Sequence, residues 1–364
     1  MPPTNKPYFV GLDNLRAYAF ALVFLSHMYF NFFPANEVYR KTFAHGEIGV
    51  QIFFVLSAFL IMYLSLREFS KTGTFSVLHF FKKRILRIWP VYFLVVAVSY
   101  LIYILSGTTA QMSCTYMFLY FMGNTCMIQD FAHVGGALTI SPLWSVSVEQ
   151  QFYTIFPLLF LLAIVVSKKY AAKYKLLFCI IACIIPLVAI IYALYIRYLH
   201  VGNWRYTDYS LASSIPSLVS GICLGYIMYA RFKIIDHIRS YSKTYATVGA
   251  LIFACGIILK TTYPWGALLY VVPIIGSVLI YIILATKERV VSEVVQKTSV
   301  IEYMGRISYG LYAYHMFAVV IVQKFLFPTY SNMPLLASLM TLAITIVIAH
   351  ISYKYMESWF LKFK

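Results

Sequence analysis

The sequence predicts an all-α integral membrane protein, with about ten transmembrane helices enclosing a central cavity and both termini cytoplasmic. Three observations carry that expectation. Of 364 residues, 62% are hydrophobic and only 11% charged, against about 25% charged in ordinary soluble domains. Apolar stretches of about 20 residues, each able to cross about 30 Å of hydrocarbon, recur along the whole length. Lysine and arginine collect in alternate connections between those stretches. Together with a mean hydropathy of +0.79, they exclude an ordinary soluble domain.

Ten spans follow in order, at about residues 12–33, 48–66, 88–106, 144–166, 176–198, 211–230, 245–260, 266–285, 308–327 and 334–355. The segment "CTYMFLYFM" (114–122) is too short to cross and reads as re-entrant or interfacial. The first apolar run follows "MPPTNKPYFVGLDNLR", carries charges and lacks a small-residue cleavage site, so it is expected to stay in the mature protein.

The net charge of +17 fits the same topology without a nucleic-acid partner. The connection after span two holds Arg67, Lys71, Lys82, Lys83, Arg84 and Arg87. Those after spans four, six and eight hold Lys168, Lys169, Lys173 and Lys175, then Arg231, Lys233, Arg239 and Lys243, then Lys287, Arg289, Lys297 and Arg306. The opposite side has Arg40, Lys41, Arg205 and Lys260, with no Lys or Arg from Gly107 to Leu143. Basic residues stay cytoplasmic, which puts both termini inside. The 107–143 connection is then outside, where Cys114 and Cys126 either pair as a disulfide or remain free thiols. The other cysteines lie in spans as small core residues, without metal-ligand spacing to histidine, and no metal is expected.

Three groups of ionisable residues interrupt the apolar background. In "LDNLRAYAFALVFLSH" (12–27), Arg16 and His27 are three helical turns apart on nearly one face, about 16 Å along the axis. Asp13 stands three residues before Arg16, in position to fix its guanidinium. Charged groups at such depth cost several kcal/mol and normally face a bundle interior or watery cavity. Arg16 alone also suits a cytoplasmic anchor, and His27 an interhelical hydrogen-bonding residue.

The second group is "FFKKRILRIWP" (80–90), where Arg84 and Arg87 stand one above the other. Paired guanidiniums suit phosphate, and a positive-inside anchor is the other reading. The third is "PLWSVSVEQQFYTIFP" (142–157), which carries Glu149 about a turn inside span four. A carboxylate there orients an imidazole, hydrogen-bonds a polar substrate, or meets interfacial water. Ser57 and His315 are further cavity-lining candidates, with helix packing and a satisfied interhelical histidine as their alternatives. Glu357, near the end of span ten, reads as the partner of a basic residue.

Taken in order, these motifs resemble the family-3 membrane acyltransferases, which O-acylate bacterial surface glycans. Arg16 and His27 fit the family's Arg-x10-His, and "GVQIFFVLSAFLI" (49–61) its second helix, with Ala58 where Gly is usual. "RILR" (84–87) matches its Arg-x-x-Arg, and "LWSVSVEQQFYTIFP" its Ser-x-Glu-Glu-Gln-Phe-Tyr segment, with Gln150 replacing the second acid. "GRISYGLYAYH" (305–315) and "SYKYMESWF" (352–360) look like its closing segments. The resemblance covers Leu12 to Phe360, so residues 1–364 are expected to form one transmembrane domain without the SGNH-type domain that some members append. A partner of that kind is expected to be a separate protein or absent.

The resemblance implies a bacterial cytoplasmic (inner) membrane protein, with acetyl-CoA or another short acyl-CoA as cytoplasmic donor and a glycan hydroxyl outside as acceptor. The acceptor class includes O-antigen of lipopolysaccharide, capsule and exopolysaccharide. His27 is then the catalytic imidazole, as general base or as nucleophile. Arg84, Arg87 and Arg16 hold CoA phosphates, and Glu149 orients His27 or the acceptor. The rival from another class is a transporter or flippase for a lipid-linked glycan, which would use buried charges equally well. Transporters often carry inverted repeats and paired broken helices, and no such repeat is visible in this sequence.

Overall fold

The computed structural model describes residues 9–33, 45–105, 139–169, 211–262, 267–286, 299–326 and 333–363. All regular structure among them is helical. The helices are α1 (Val10–Phe32), α2 (Gly46–Thr72), α3 (Val77–Leu105), α4 (Trp144–Lys169), α5 (Leu211–Tyr229), α6 (Lys233–Ser240), α7 (Ser242–Thr262) and α8 (Ala267–Ala285). They continue with α9 (Val300–Arg306), α10 (Ser308–Ile321), α11 (Pro334–Ser352) and α12 (Ser358–Leu361). Helices thus stand at nine of the ten expected spans. The expected span at 176–198, the 114–122 segment, and Cys114 and Cys126 lie outside the described residues.

Among the described residues, five helical stretches are long and apolar enough to cross a membrane, and α5 with α6, bent by 92°, makes a sixth if the pair counts as one span. Their outer faces agree. On α4, Ile155, Leu158, Leu159, Leu162 and Val165 are exposed along one stripe, while Phe152, Phe156 and Phe160 are buried on the other. A soluble helix would place polar residues on that outer stripe. The chain is a multi-pass membrane protein.

The chain divides into two compact units. The first comprises Met1–Tyr29, Asn36–Arg67 and Ser220–Ser308. Its core gathers Leu12, Leu15 and Ala19 of α1, Ile52, Leu56 and Phe59 of α2, and Ile274, Val278 and Ile282 of α8. Small residues let the backbones close up, as membrane helices require. A Cβ on Gly49 would overlap the Ala19 carbonyl, and one on Gly46 would lie 2.9 Å from the Ser26 Cβ. Gly221 and Gly225, one turn apart on α5, press on α2 at Val55 and Phe59 in the same way. Arg239 of α6 donates to the carbonyls of Ile283 (3.3 Å) and Thr286 (3.0 Å), closing the last turn of α8.

The second unit comprises Phe30–Ala35, Glu68–Val219 and Tyr309–Lys364. Its α3 and α4 meet along an aromatic seam: Phe75 on Phe160 (4.8 Å between centroids) and Phe80 on Phe156 (5.9 Å). These pairs set an antiparallel register. The structure starts α3 at Val77, whereas the sequence places the third span at 88–106. Aromatic packing by Phe80 carries the helix back through the basic run, whose stems lie along its surface. Lys82, Lys83, Arg84 and Arg87 are therefore helical residues, and Pro90 sits inside the helix without ending it.

Candidate functional site

In the first unit, α1 runs unbroken through both Arg16 and His27. The expected spacing of about 16 Å on one face is therefore realised. Asp13 is buried, and its carboxylate accepts from the Arg16 guanidinium three residues on. The turn that holds this pair is braced from outside α1. Gly305 of α9 comes so close that any Cβ there would overlap the Asp13 carbonyl. A capping box sets the start of α9, with Ser299 and Glu302 each satisfying the other's backbone N–H. His27 is half-buried, about a turn and a half from the C-terminal end of α1, and Ser57 is half-buried on α2.

In the second unit, the α3–α4 register brings two sequence motifs together. The Arg84 guanidinium lies 5.6 Å from the Phe80 ring centroid and 5.4 Å from that of Tyr153, between two aromatic faces. One turn further along, the same register sets Arg87 level with Glu149. The charges of Arg87 and Glu149 both act on Arg84. Among the described residues, Arg84 Nε and Trp89 Nε1 are buried donors without a hydrogen-bond acceptor. Buried donors of this kind require an acceptor, from water or from a ligand. Lys83 is separately engaged, donating to Glu68 at 3.4 Å.

The closing segments complete this cluster. Tyr309 of α10 donates to the Ile88 carbonyl (2.8 Å), tying α10 to α3 beside Arg87. At the far end of α11 the helix passes into a π-helical turn, Tyr353–Glu357, a feature frequent at functional sites. Glu357 is buried there, accepts from Ser352 Oγ (3.3 Å), and Ser352 in turn contacts Tyr314 OH (2.9 Å). Arg87 supplies a nearby positive charge. The sequence reading of Glu357 as a partner for a basic residue leaves out its burial. The signal for it was an acid closing an apolar run in "SYKYMESWF". Tyr153 was also missed, although Glu149 and Tyr153 are one turn apart on a helix facing "RILR".

His315 is fully buried, with Nδ1 2.7 Å from the Tyr312 carbonyl three residues earlier. Tyr312 OH in turn donates to the Pro142 carbonyl (2.7 Å) and contacts Ser145 Oγ (2.7 Å). Through Tyr312 this network ties α10 to the start of α4, while the contact of His315 Nδ1 with the Tyr312 carbonyl stays within α10. Among the described residues no group of three His, Cys, Asp or Glu is gathered as a metal site.

Comparison with known proteins identifies the family. The acyltransferase domain of the acyltransferase 3 family matches residues 9–354. The peptidoglycan O-acetyltransferase OatA of Listeria monocytogenes is 24% identical over 97% of this chain and 56% of its own length. The O-acetyltransferase OatA of Staphylococcus aureus (strain NCTC 8325) is 24% identical over 96% of this chain and 57% of its own. A protein of Staphylococcus aureus (strain COL), provisionally named an O-acetyltransferase, is 22% identical over 98% of this chain and 58% of its own. The chain thus spans less than three fifths of the length of these curated relatives. No solved structure matches it.

Proposed function

The chain belongs to the acyltransferase 3 family, and on that premise we propose that it is a membrane O-acyltransferase using a short acyl-CoA, acetyl-CoA first among them. The acceptor is a hydroxyl of an extracytoplasmic glycan, and the enzyme sits in a bacterial cytoplasmic membrane with ten spans and both termini inside. The alternation of Lys and Arg supports that orientation. The names of the similar O-acetyltransferases support acetyl as the group moved.

One observation carries the assignment of chemistry: a single unbroken helix presents Arg16, clamped by buried Asp13, and His27 on one face. His27 is the general base. It takes the acceptor hydroxyl proton as that oxygen bonds to the thioester carbon; the carbon–sulfur bond breaks, and the CoA thiolate leaves with the proton. Within the second unit, Arg84 and Arg87 bind donor phosphates. The acceptor-less donors of Arg84 and Trp89 among the described residues support this role. Glu149 acts on the arginine pair, a role favoured by their shared level on α3 and α4.

The test is direct. Purified protein receives acetyl-labelled acetyl-CoA and soluble glycan fragments. Label is expected on a glycan hydroxyl, with free CoA released in equal amount. A transporter would leave the thioester intact.

A further inference from the structure

The first turn of α2 holds an ion pair that the proposed chemistry does not use. Glu47 Oε1 accepts from Lys260 Nζ, joining α2 to the last turns of α7. The two partners differ in exposure: the Lys260 side chain is 9% exposed and the Glu47 side chain 42%. An ammonium buried in an apolar helix costs several kcal/mol unless it is paired. A reason for such a pair other than raw stability is a fixed geometry.

That reason lies next door in the chain. Gly46, adjacent to Glu47, packs so closely on α1 that a Cβ would stand 2.9 Å from the Ser26 Cβ and 3.0 Å from its Oγ. Ser26 is the residue before His27. One turn further on, Gly49 presses against α1 at Ala19 and Val23. The α2 turn gripped by Lys260 is thus the surface on which the His27 segment of α1 rests.

We propose that Lys260 and Glu47 are positioning residues for His27. By fixing the first turn of α2, the pair fixes the height and rotation of the α1 turn that carries the imidazole. The inference rests on His27 being the acyl-transfer residue. A displacement of about 1 Å at a reacting group can cost on the order of a hundredfold in rate. An ion pair two helices away therefore suffices to set kcat.

The test uses the full chain in detergent or proteoliposomes, with acetyl-CoA and glycan acceptor, and reads kcat, KM for acetyl-CoA and melting temperature. Lys260→Met leaves a carboxylate that reaches water, so the variant is expected to fold. Its kcat should fall about tenfold or more with KM for acetyl-CoA unchanged, since donor binding is untouched. The reversed pair, Glu47→Lys with Lys260→Glu, should recover much of that loss. Gly46→Ala, which pushes on Ser26 without touching the charges, should show the same split. An unchanged kcat in Lys260→Met overturns the proposal. So does a loss that follows the melting temperature and is not recovered by the reversed pair. His27→Ala separates the two claims: full activity in that variant defeats the assignment of His27, whereas an inactive His27→Ala beside a fully active Lys260→Met defeats the positioning role alone.

Discussion

The ring of Tyr153 on α4 and the guanidinium of Arg84 on α3 face each other at 5.4 Å. With Phe80 on the other side, the contact holds Arg84 flat and fixes the direction of its remaining donors. Cation–π contacts are worth about 0.5–2 kcal/mol. Tyr153→Leu is therefore expected to raise KM for acyl-CoA by roughly 2- to 30-fold, with Tyr153→Phe close to the parent. Steady-state kinetics against acyl-CoA concentration checks this, and equal KM values in all three proteins would detach Tyr153 from donor binding.

The two glycines Gly305 and Gly276 give a contrasting pair. Gly305→Ala drives a methyl group into the Asp13 carbonyl, whereas a Cβ on Gly276 meets nothing within 4 Å. Overpacking typically costs about 1–3 kcal/mol, so Gly305→Ala should melt several degrees lower. Gly276→Ala should melt at or above the parent temperature, because alanine favours helix by up to about 1 kcal/mol. Thermal unfolding in detergent reads both, and an undisturbed Gly305→Ala would mean that α9 does not brace α1.

Two carboxylates on the second unit should behave oppositely. Glu68 pairs with Lys83 across partly exposed side chains, an arrangement worth about 0–1 kcal/mol. Glu357 is buried against Ser352 in the π-helical turn, with the Arg87 charge nearby. Glu68→Gln should leave kcat/KM within about twofold. Glu357→Gln should lower kcat/KM by about tenfold or more, on the scale of a lost charge-assisted hydrogen bond. Equal effects of the two substitutions would remove Glu357 from the site.

Much of this architecture was legible beforehand, and the failures have physical causes. Apolar runs locate the helices because the bilayer demands about 20 such residues, and α1, α5 and α8 lie close to their expected bounds. The spacing of Arg84 and Arg87 already put them on a helix, but that helix reaches back to Val77, well before the expected span, where Phe80 packs on Phe156 outside the apolar run. The ionisable residues of α1 were found because charge inside an apolar span is rare. The common level of Arg87 and Glu149 beside Arg84 was not, since it depends on the register of two helices fixed by aromatic pairs far apart in sequence. Glu47 with Lys260 escaped for the same reason: 213 residues separate them.

The measurement that bears most directly on the central claim is acyl transfer by His27→Ala. The protein is reconstituted in proteoliposomes with labelled acetyl-CoA, and its folding is verified by a melting temperature equal to the parent's. The account predicts a folded protein whose transfer to glycan falls by at least about a hundredfold, the usual contribution of a general base. Transfer at the parent rate would contradict it.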